Sequence, residues 1–272
     1  MHGQPTKEQE IKLQNNLDKI KHKLIVISGK GGVGKSTVSV NIAYGLALSG
    51  MTVGILDVDI HGPSLAKMLN IEGQNLTVNE NGNPSPIKVH ENLYAVSLAS
   101  MLQSEDEPVI WRGPMKMGVI RQFMQDIEWP ELDFLVVDCP PGTGDEPLSA
   151  VQILKNVEGS VVVTTPQDVA LLDVRKSLKF SQQLNIPVLG IMVNMNGFKC
   201  PHCNELINIF EGEGVEKASK DFNADILGNI PLDKNIVVSG DKGRPYIFDF
   251  AKTEGGKVFN SAVQKILKKL NI

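Results

Sequence analysis

Gly29-Lys30-Gly31-Gly32-Val33-Gly34-Lys35-Ser36-Thr37 follows an apolar run of strand length and opens a stretch of helical period. It satisfies the pattern Gly-x4-Gly-Lys-Ser/Thr. Glycines let successive backbone N–H groups turn inward, the helix N-terminus adds positive potential, and together they hold phosphate oxygens. Residues 29–37 are therefore nucleotide-binding candidates, with Lys35 reaching the terminal phosphates and the Ser36 hydroxyl ligating Mg2+. The same glycines also satisfy Gly29-x-Gly31-x-x-Gly34, the dinucleotide fingerprint, with Asp57 about where a ribose-binding acid would stand. A dinucleotide fold does not require Lys-Ser after the third glycine, whereas a nucleoside triphosphatase needs both, and the phosphate-loop reading is preferred.

Outward from this loop, apolar runs of strand length alternate with helical periods. Strands are expected at 24–28, 53–57, 93–98, 134–138, 160–164, 188–194 and 226–230, and helices at 36–48, 115–127, 168–184 and 214–222. Continuous apolar runs mark strands buried on both faces, and the helices between them supply parallel crossovers. The expected fold is α/β, a doubly wound and mostly parallel sheet flanked by helices. Leu76-Thr77-Val78 and Ile87-Lys88-Val89, separated by a turn over 79–83, read as a hairpin inserted into that order. Residues 1–21 read as an N-terminal helical extension, with Ile11, Leu17 and Ile20 apolar and Thr6 capping three residues before Gln9. Residues 22–272 read as one phosphate-loop triphosphatase domain, which the resemblance given below makes an ATPase domain, ending in a basic amphipathic helix over 256–272.

A triphosphatase needs an acid at the end of another strand, and Leu135-Val136-Val137-Asp138 supplies it, Asp138 holding the Mg2+ shell. In the stiff segment that follows, Cys139-Pro140-Pro141-Gly142-Thr143-Gly144-Asp145, the Gly142 N–H is placed to sense a γ-phosphate. Asp57-Val58-Asp59 closes the second strand with both carboxylates on one side, one to orient the attacking water and one to organise the metal.

Cys200-Pro201-His202-Cys203 stands on a loop beyond a strand's carboxyl end, where open sheets place their ligand sites. Two thiolates at this spacing bind a metal together, but a closed zinc site or an iron–sulfur cluster wants four ligands. A symmetric dimer with two such pairs on its twofold axis supplies four. A redox disulfide, or no role at all, fits an isolated Cys-x-x-Cys as well. Cys139 is the third cysteine and reads as a small buried hydrophobe.

The 272 residues are 42% hydrophobic and 21% charged, an ordinary globular composition large enough to be stable without staples. Three cysteines, an odd count in a long chain, argue against a secreted disulfide framework and for a reducing compartment. A formal net charge of −4 gives no basic footprint for nucleic acid. No apolar run is long enough to span a membrane and the first eight residues are polar, so a cytoplasmic protein is expected.

The doubled-glycine loop with its early Lys30 resembles the deviant phosphate loop of the nitrogenase-iron-protein and MinD class of dimeric ATPases. Within that class several segments resemble the Mrp/ApbC family of ATP-dependent iron–sulfur cluster carriers. These are Asp57-Val58-Asp59-Ile60-His61-Gly62-Pro63-Ser64, Trp111-Arg112-Gly113-Pro114-Met115, residues 138–145, Thr165-Pro166-Gln167-Asp168, Asn194-Met195, residues 200–203 and Ile230-Pro231-Leu232-Asp233. The likeness runs from about residue 22 to 250. It implies that Lys30 reaches the partner subunit's nucleotide, that Asp59 helps activate the hydrolytic water and that Asn194 recognises adenine. It further implies that Cys200 and Cys203 of two chains bridge a labile [4Fe–4S] cluster destined for apoproteins, with cluster donors upstream. Two features depart from the pattern. The stretch before residue 22 is shorter than the small N-terminal domain of many bacterial members, and Phe210-Glu211-Gly212-Glu213-Gly214 is more acidic than the glycine-rich segment often found there.

Two other functions use the same parts. A membrane-cycling positioning ATPase would employ the deviant loop and the basic C-terminal helix, but leaves the cysteine pair idle. An ATP-gated reductase would keep the cluster rather than release it.

Overall fold

The computed structural model describes residues 6–59, 64–78, 82–97, 113–200, 202–203, 205–210 and 212–272. The first five residues, the motif positions Ile60, His61, Gly62, Pro63, Trp111, Arg112 and Pro201, the strand end Leu98, the turn residues 79–81 and Glu211 lie outside the described residues.

In chain order the elements are α1 (Lys7–Asp18), β1 (Ile20–Ile27), α2 (Lys35–Leu48), β2 (Val53–Asp57), α3 (Leu65–Met68), β3 (Thr77–Val78), β4 (Pro84–Ser85), β5 (Ile87–His90), β6 (Leu93–Ser97), α4 (Gly113–Asp126) and β7 (Leu132–Asp138), then α5 (Asp145–Leu154), β8 (Gly159–Thr164), α6 (Leu171–Gln183), β9 (Val188–Val193), β10 (Phe198–Lys199), β11 (Leu206–Ile207), α7 (Gly214–Phe222), β12 (Ile226–Asn229), α8 (Lys234–Asp241), α9 (Tyr246–Phe250) and α10 (Glu254–Lys269). Eight strands form one sheet in the order β12-β9-β8-β1-β7-β2-β6-β5. Every pairing in it is parallel except β5 against β6.

Strand β1 explains why the sequence reads as continuous apolar runs. Leu24 and Val26 enter one core with Val38, Ile42 and Leu46 of α2, while Ile25 and Ile27 enter the opposite core with Phe123 of α4 and Leu178 of α6. Both faces are covered, so neither position can be polar. With β7 on one side and β8 on the other, β1 sits where the strand order reverses, and its carboxyl end opens into the crevice where such sheets bind ligands.

Four local expectations need correction. The hairpin pairs Thr77–Val78 with Pro84–Ser85, whereas Ile87–His90 extends the main sheet through a two-residue turn onto β6. The pull is burial: Ile87 is in the core, and Val78 is 67% exposed. In α1 the buried residues are Leu13, Asn16 and Leu17, while Ile11 faces solvent and Ile20 already belongs to β1. Its capping box is present, Thr6 N–H donating to Gln9 Oε1 at 2.9 Å and Gln9 N–H to Thr6 Oγ1 at 3.3 Å. The helix expected over 168–184 divides into a 3-10 turn, Asp168–Ala170, and α6, a tightened start common at helix N-termini. Finally, α5 fills the crossover between β7 and β8 that the sequence reading left without a helix.

The C-terminal helix α10 is docked. Phe259, Ala262, Val263, Ile266 and Leu267 are buried, Lys265 donates to the Ile226 and Leu227 carbonyls, and Lys269 pairs with Asp225 at 2.6 Å. Its apolar face is spent on the body, which removes the observation that favoured a membrane-surface role. No helix among the described residues is long and apolar enough to cross a membrane.

Candidate functional site

Between the end of β1 and the start of α2 the loop is shaped by contacts at two glycines. Gly34 has φ +84°, and a Cβ there would lie 2.1 Å from Asn194 Nδ2. A Cβ on Gly29 would lie 2.3 Å from the Asp173 carbonyl oxygen. The loop is thus clamped between the strand-end Asn194 and α6, leaving its middle open toward solvent.

Lys35, the first residue of α2, is buried with its Nζ 2.7 Å from Asp138 Oδ1 and 3.8 Å from Asp59 Oδ2. Burial alone would lower its pKa, but the Asp138, Asp59 and Asp57 carboxylates prevail and hold it above the ordinary lysine value. Lys35 Nζ also donates to Ser36 Oγ at 3.4 Å. Asp138 Oδ1 further accepts from Ser39 Oγ at 2.7 Å, a contact between residues 99 positions apart that no local motif announces. Its other oxygen, Oδ2, is buried and has no hydrogen-bond partner among the described residues. A buried, orphaned carboxylate oxygen beside a serine hydroxyl and further carboxylates is the donor set a hard cation such as Mg2+ takes.

Asp57 lies beside Asp138 in register on the neighbouring strand and is buried. Its Oδ1 accepts from Asp59 N–H at 3.0 Å and its Oδ2 from Ser97 Oγ at 3.3 Å. Burial first, then the Asp138 charge, push its pKa up to about 8. The two strand-end acids therefore differ: Asp57 is enclosed beside Asp138 with its pKa raised, and Asp59 faces the Lys35 ammonium. The Gly142 N–H donates to the Ser28 carbonyl at 2.7 Å, which corrects the expectation that this group points at a γ-phosphate.

Two cavities join along the loop. One of about 230 Å³ is lined by Lys30, Gly31, Gly32, Lys35, Ser36 and Asp59. The other, about 410 Å³, is walled by Met68, Asn194, Met195, Pro231, Leu232, Ile236 and Val237. Gly34, Thr37, Ser64 and Met68 border both. A cationic pocket continuous with a mostly apolar one has the form of a nucleotide site, phosphates in the first and base in the second. Asn194 Nδ2 donates to the Val33 carbonyl at 2.9 Å and so ties the apolar pocket to the loop. Lys30, at the rim of the first cavity, donates from Nζ to Gln167 Oε1 at 3.2 Å. A larger cavity of about 490 Å³ between α1 and α4 includes Asn16, whose amide already caps the α4 carboxyl end through the Met124, Gln125 and Ile127 carbonyls. That cavity touches none of the groups above.

Cys200 and Cys203 occupy the tip of a small antiparallel hairpin, β10 and β11, closed by Cys200 N–H donating to the Glu205 carbonyl at 2.9 Å. The sequence pattern did not reveal these two-residue strands. Cys200 is half-buried and Cys203 exposed. The backbone N–H groups of Cys203 and His202 and the Cys203 side chain act on the Cys200 sulfur and lower its pKa, favouring the thiolate. Cys139 is fully buried and pushed up to about 12 by burial, a core thiol as expected. The hairpin's root is tied to the 230–233 segment, Asn196 N–H donating to the Ile230 carbonyl and Leu232 N–H to the Gly197 carbonyl, each at 2.8 Å. Pro231 and Leu232 of that segment wall the base-sized cavity, so thiols and nucleotide pocket share a support.

A strand, phosphate loop and helix with a buried lysine and a strand-end aspartate place the chain among the P-loop NTPases. Residues 19–267 match the family described as ParA, NUBPL iron-transfer P-loop NTPase, and the chain belongs to that family. Proteins named iron-sulfur cluster carrier protein are similar to it across nearly its full length. That of Methanocaldococcus jannaschii is 45% identical, covering 97% of this chain and 90% of its own, and that of Saccharolobus solfataricus is 42% identical, covering 98% and 90%. Among solved structures, a nucleotide-binding protein from Archaeoglobus fulgidus in complex with ADP superposes with TM-score 0.76 at 34% identity, covering 87% of this chain and 91% of its own. The cell division ATPase MinD of Pyrococcus furiosus shares the fold, with TM-score 0.67 at 23% identity, covering 92% and 99%.

Proposed function

We propose that this chain is a homodimeric ATPase that carries a [4Fe–4S] cluster, held by the Cys200 and Cys203 thiolates of two subunits, and delivers it to apoproteins. The observation that carries the reading is a phosphate loop with its buried Lys35 and Asp138 beside half a thiolate set on a hairpin rooted in the nucleotide pocket's wall. Two thiolates fall short of the four a cubane takes, and a second chain supplies the other two. Apolar side chains are available for such a contact beside Gln167, where Val169 is 73% and Leu172 68% exposed. The carrier names of the relatives and the ADP of the Archaeoglobus structure support the cargo and the nucleotide respectively. Free thiols suit a reducing compartment, and the cytoplasm is the proposed site of action.

In this reading the backbone N–H groups of residues 29–37 cradle the phosphates and Lys35 leaves Asp138 to neutralise the terminal ones. Ser36 and Asp138 hold Mg2+, which when bound offsets charge on the phosphate oxygens. Asp59 orients the attacking water, Asn194 faces the adenine, and Lys30 stabilises charge on the partner subunit's nucleotide. Steady-state hydrolysis and nucleotide binding test the assignment. Lys35→Ala should lose hydrolysis, and Lys30→Ala should lose hydrolysis yet still bind nucleotide. A Lys30→Ala protein that turned over ATP at the parent rate would remove the cross-subunit role. Loss of the cluster to an apo-acceptor, rather than reversible redox cycling with the cluster retained, separates a carrier from a reductase.

A further inference from the structure

Lys30 is held at its backbone and loosely held at its side chain. Gly29 before it abuts Asp173, with only 2.3 Å between a would-be Cβ and the Asp173 carbonyl oxygen, and Ser28 Oγ donates to the Lys30 carbonyl at 2.9 Å. The ammonium itself makes one hydrogen bond, to Gln167 Oε1 at 3.2 Å, and has no carboxylate within ion-pair distance among the described residues. Gln167 belongs to the segment leaving β8 and is followed by Asp168. Asp168 Oδ1 lies 2.4 Å from where a Cβ on Gly212 would stand, against the stretch that follows the cysteine hairpin.

The chemistry of residue 167 decides what this contact can do. An amide oxygen accepts a hydrogen bond from an ammonium and fixes its direction, but carries no charge to keep it. A phosphate oxygen adds the attraction of a full opposite charge that the neutral amide does not offer, so a nucleotide brought near takes the lysine away. A carboxylate at the same position would form an ion pair and retain it.

We propose that Gln167 is a positioning residue that holds Lys30 on its own subunit until a second chain presents a nucleotide phosphate. The hold fixes where the ammonium stands at the rim of the phosphate pocket and sets how readily two chains become active together. This rests on the cross-subunit role of Lys30 proposed above.

The test is the specific ATP hydrolysis rate of the full chain as a function of protein concentration, at low and at high salt. Gln167→Ala should lower the concentration giving half-maximal rate by about tenfold or more, the worth of one hydrogen bond to a charged group, with KM for ATP unchanged. Gln167→Glu should raise that concentration, and added salt should partly restore it by screening the new ion pair. In a Lys30→Ala background, which lacks hydrolysis, Gln167→Ala should leave nucleotide-dependent self-association, read by analytical sedimentation, unchanged. Shifts of the same sign in both Gln167 variants, or no shift in either while Lys30→Ala is inactive, would overturn the proposal. A parent-rate Lys30→Ala would instead overturn the cross-subunit reading on which it stands. A residue that only supported folding would depress both variants and show no rescue by salt.

Discussion

Asp57 shows how much one side chain's surroundings alter its chemistry. The sequence pairs it with Asp59 as two equal strand-end acids, yet one is enclosed beside Asp138 and the other faces Lys35. Its folded pKa of about 8 stands above the unfolded carboxylate value, so the folded chain keeps a proton that the unfolded chain releases. Its contribution to stability is full below the unfolded pKa near 4 and is lost as pH rises toward 8. Urea midpoints without nucleotide or Mg2+ should therefore show Asp57→Asn gaining on the parent steadily across that window. Cys200 offers a second residue-level check. Backbone N–H groups favour its thiolate, so iodoacetamide followed by peptide mapping should label Cys200 ahead of Cys203, and Cys139 only on unfolding. The residues legible at this scale, Lys35, Ser36 and Asp138, belong to motifs whose chemistry is local. Ser39 and Gln167 were not legible, since their roles exist only because the sheet brings Asp138 and Lys30 to them.

Among elements, legibility follows length and punctuation. The five central strands β1, β2, β7, β8 and β9 announce themselves because both faces are buried and each runs at least five residues. Helix α5 is hidden by the prolines and glycines of 140–144, although Asp145, Glu146 and Pro147 in its first turn are themselves start signals. Strands β10 and β11, two residues each, are too short for any alternation to register, and only the fold reveals that the cysteines sit on a hairpin. The C-terminal helix could be recognised from its period but not its destination, because an amphipathic helix reads alike whether it meets a membrane or a protein core. Docking on α2 and β12 makes a definite claim: Phe259, fully buried, should cost about 3–5 kcal/mol when replaced by alanine, read from chemical denaturation. A loss under 1 kcal/mol would mean that α10 contributes little to the body.

At the level of the whole molecule, the fold places a nucleotide crevice and a pair of thiols on one supporting segment, residues 230–233. The phosphate loop, Lys35, Ser36 and Asp138 stand together within one chain, whereas the thiol pair is half of a four-ligand set. In the proposed reading a second chain makes up the shortfall, bringing the other two thiolates. The most direct measurement is anaerobic reconstitution with iron and sulfide, followed by iron, sulfide and protein determination on the purified species. About four irons and four sulfides per two chains are expected for the parent, and next to none for Cys200→Ala/Cys203→Ala, which keeps its fold and nucleotide binding. Iron and sulfide retained by that double variant at the parent's level would contradict the assignment of the cluster to this hairpin.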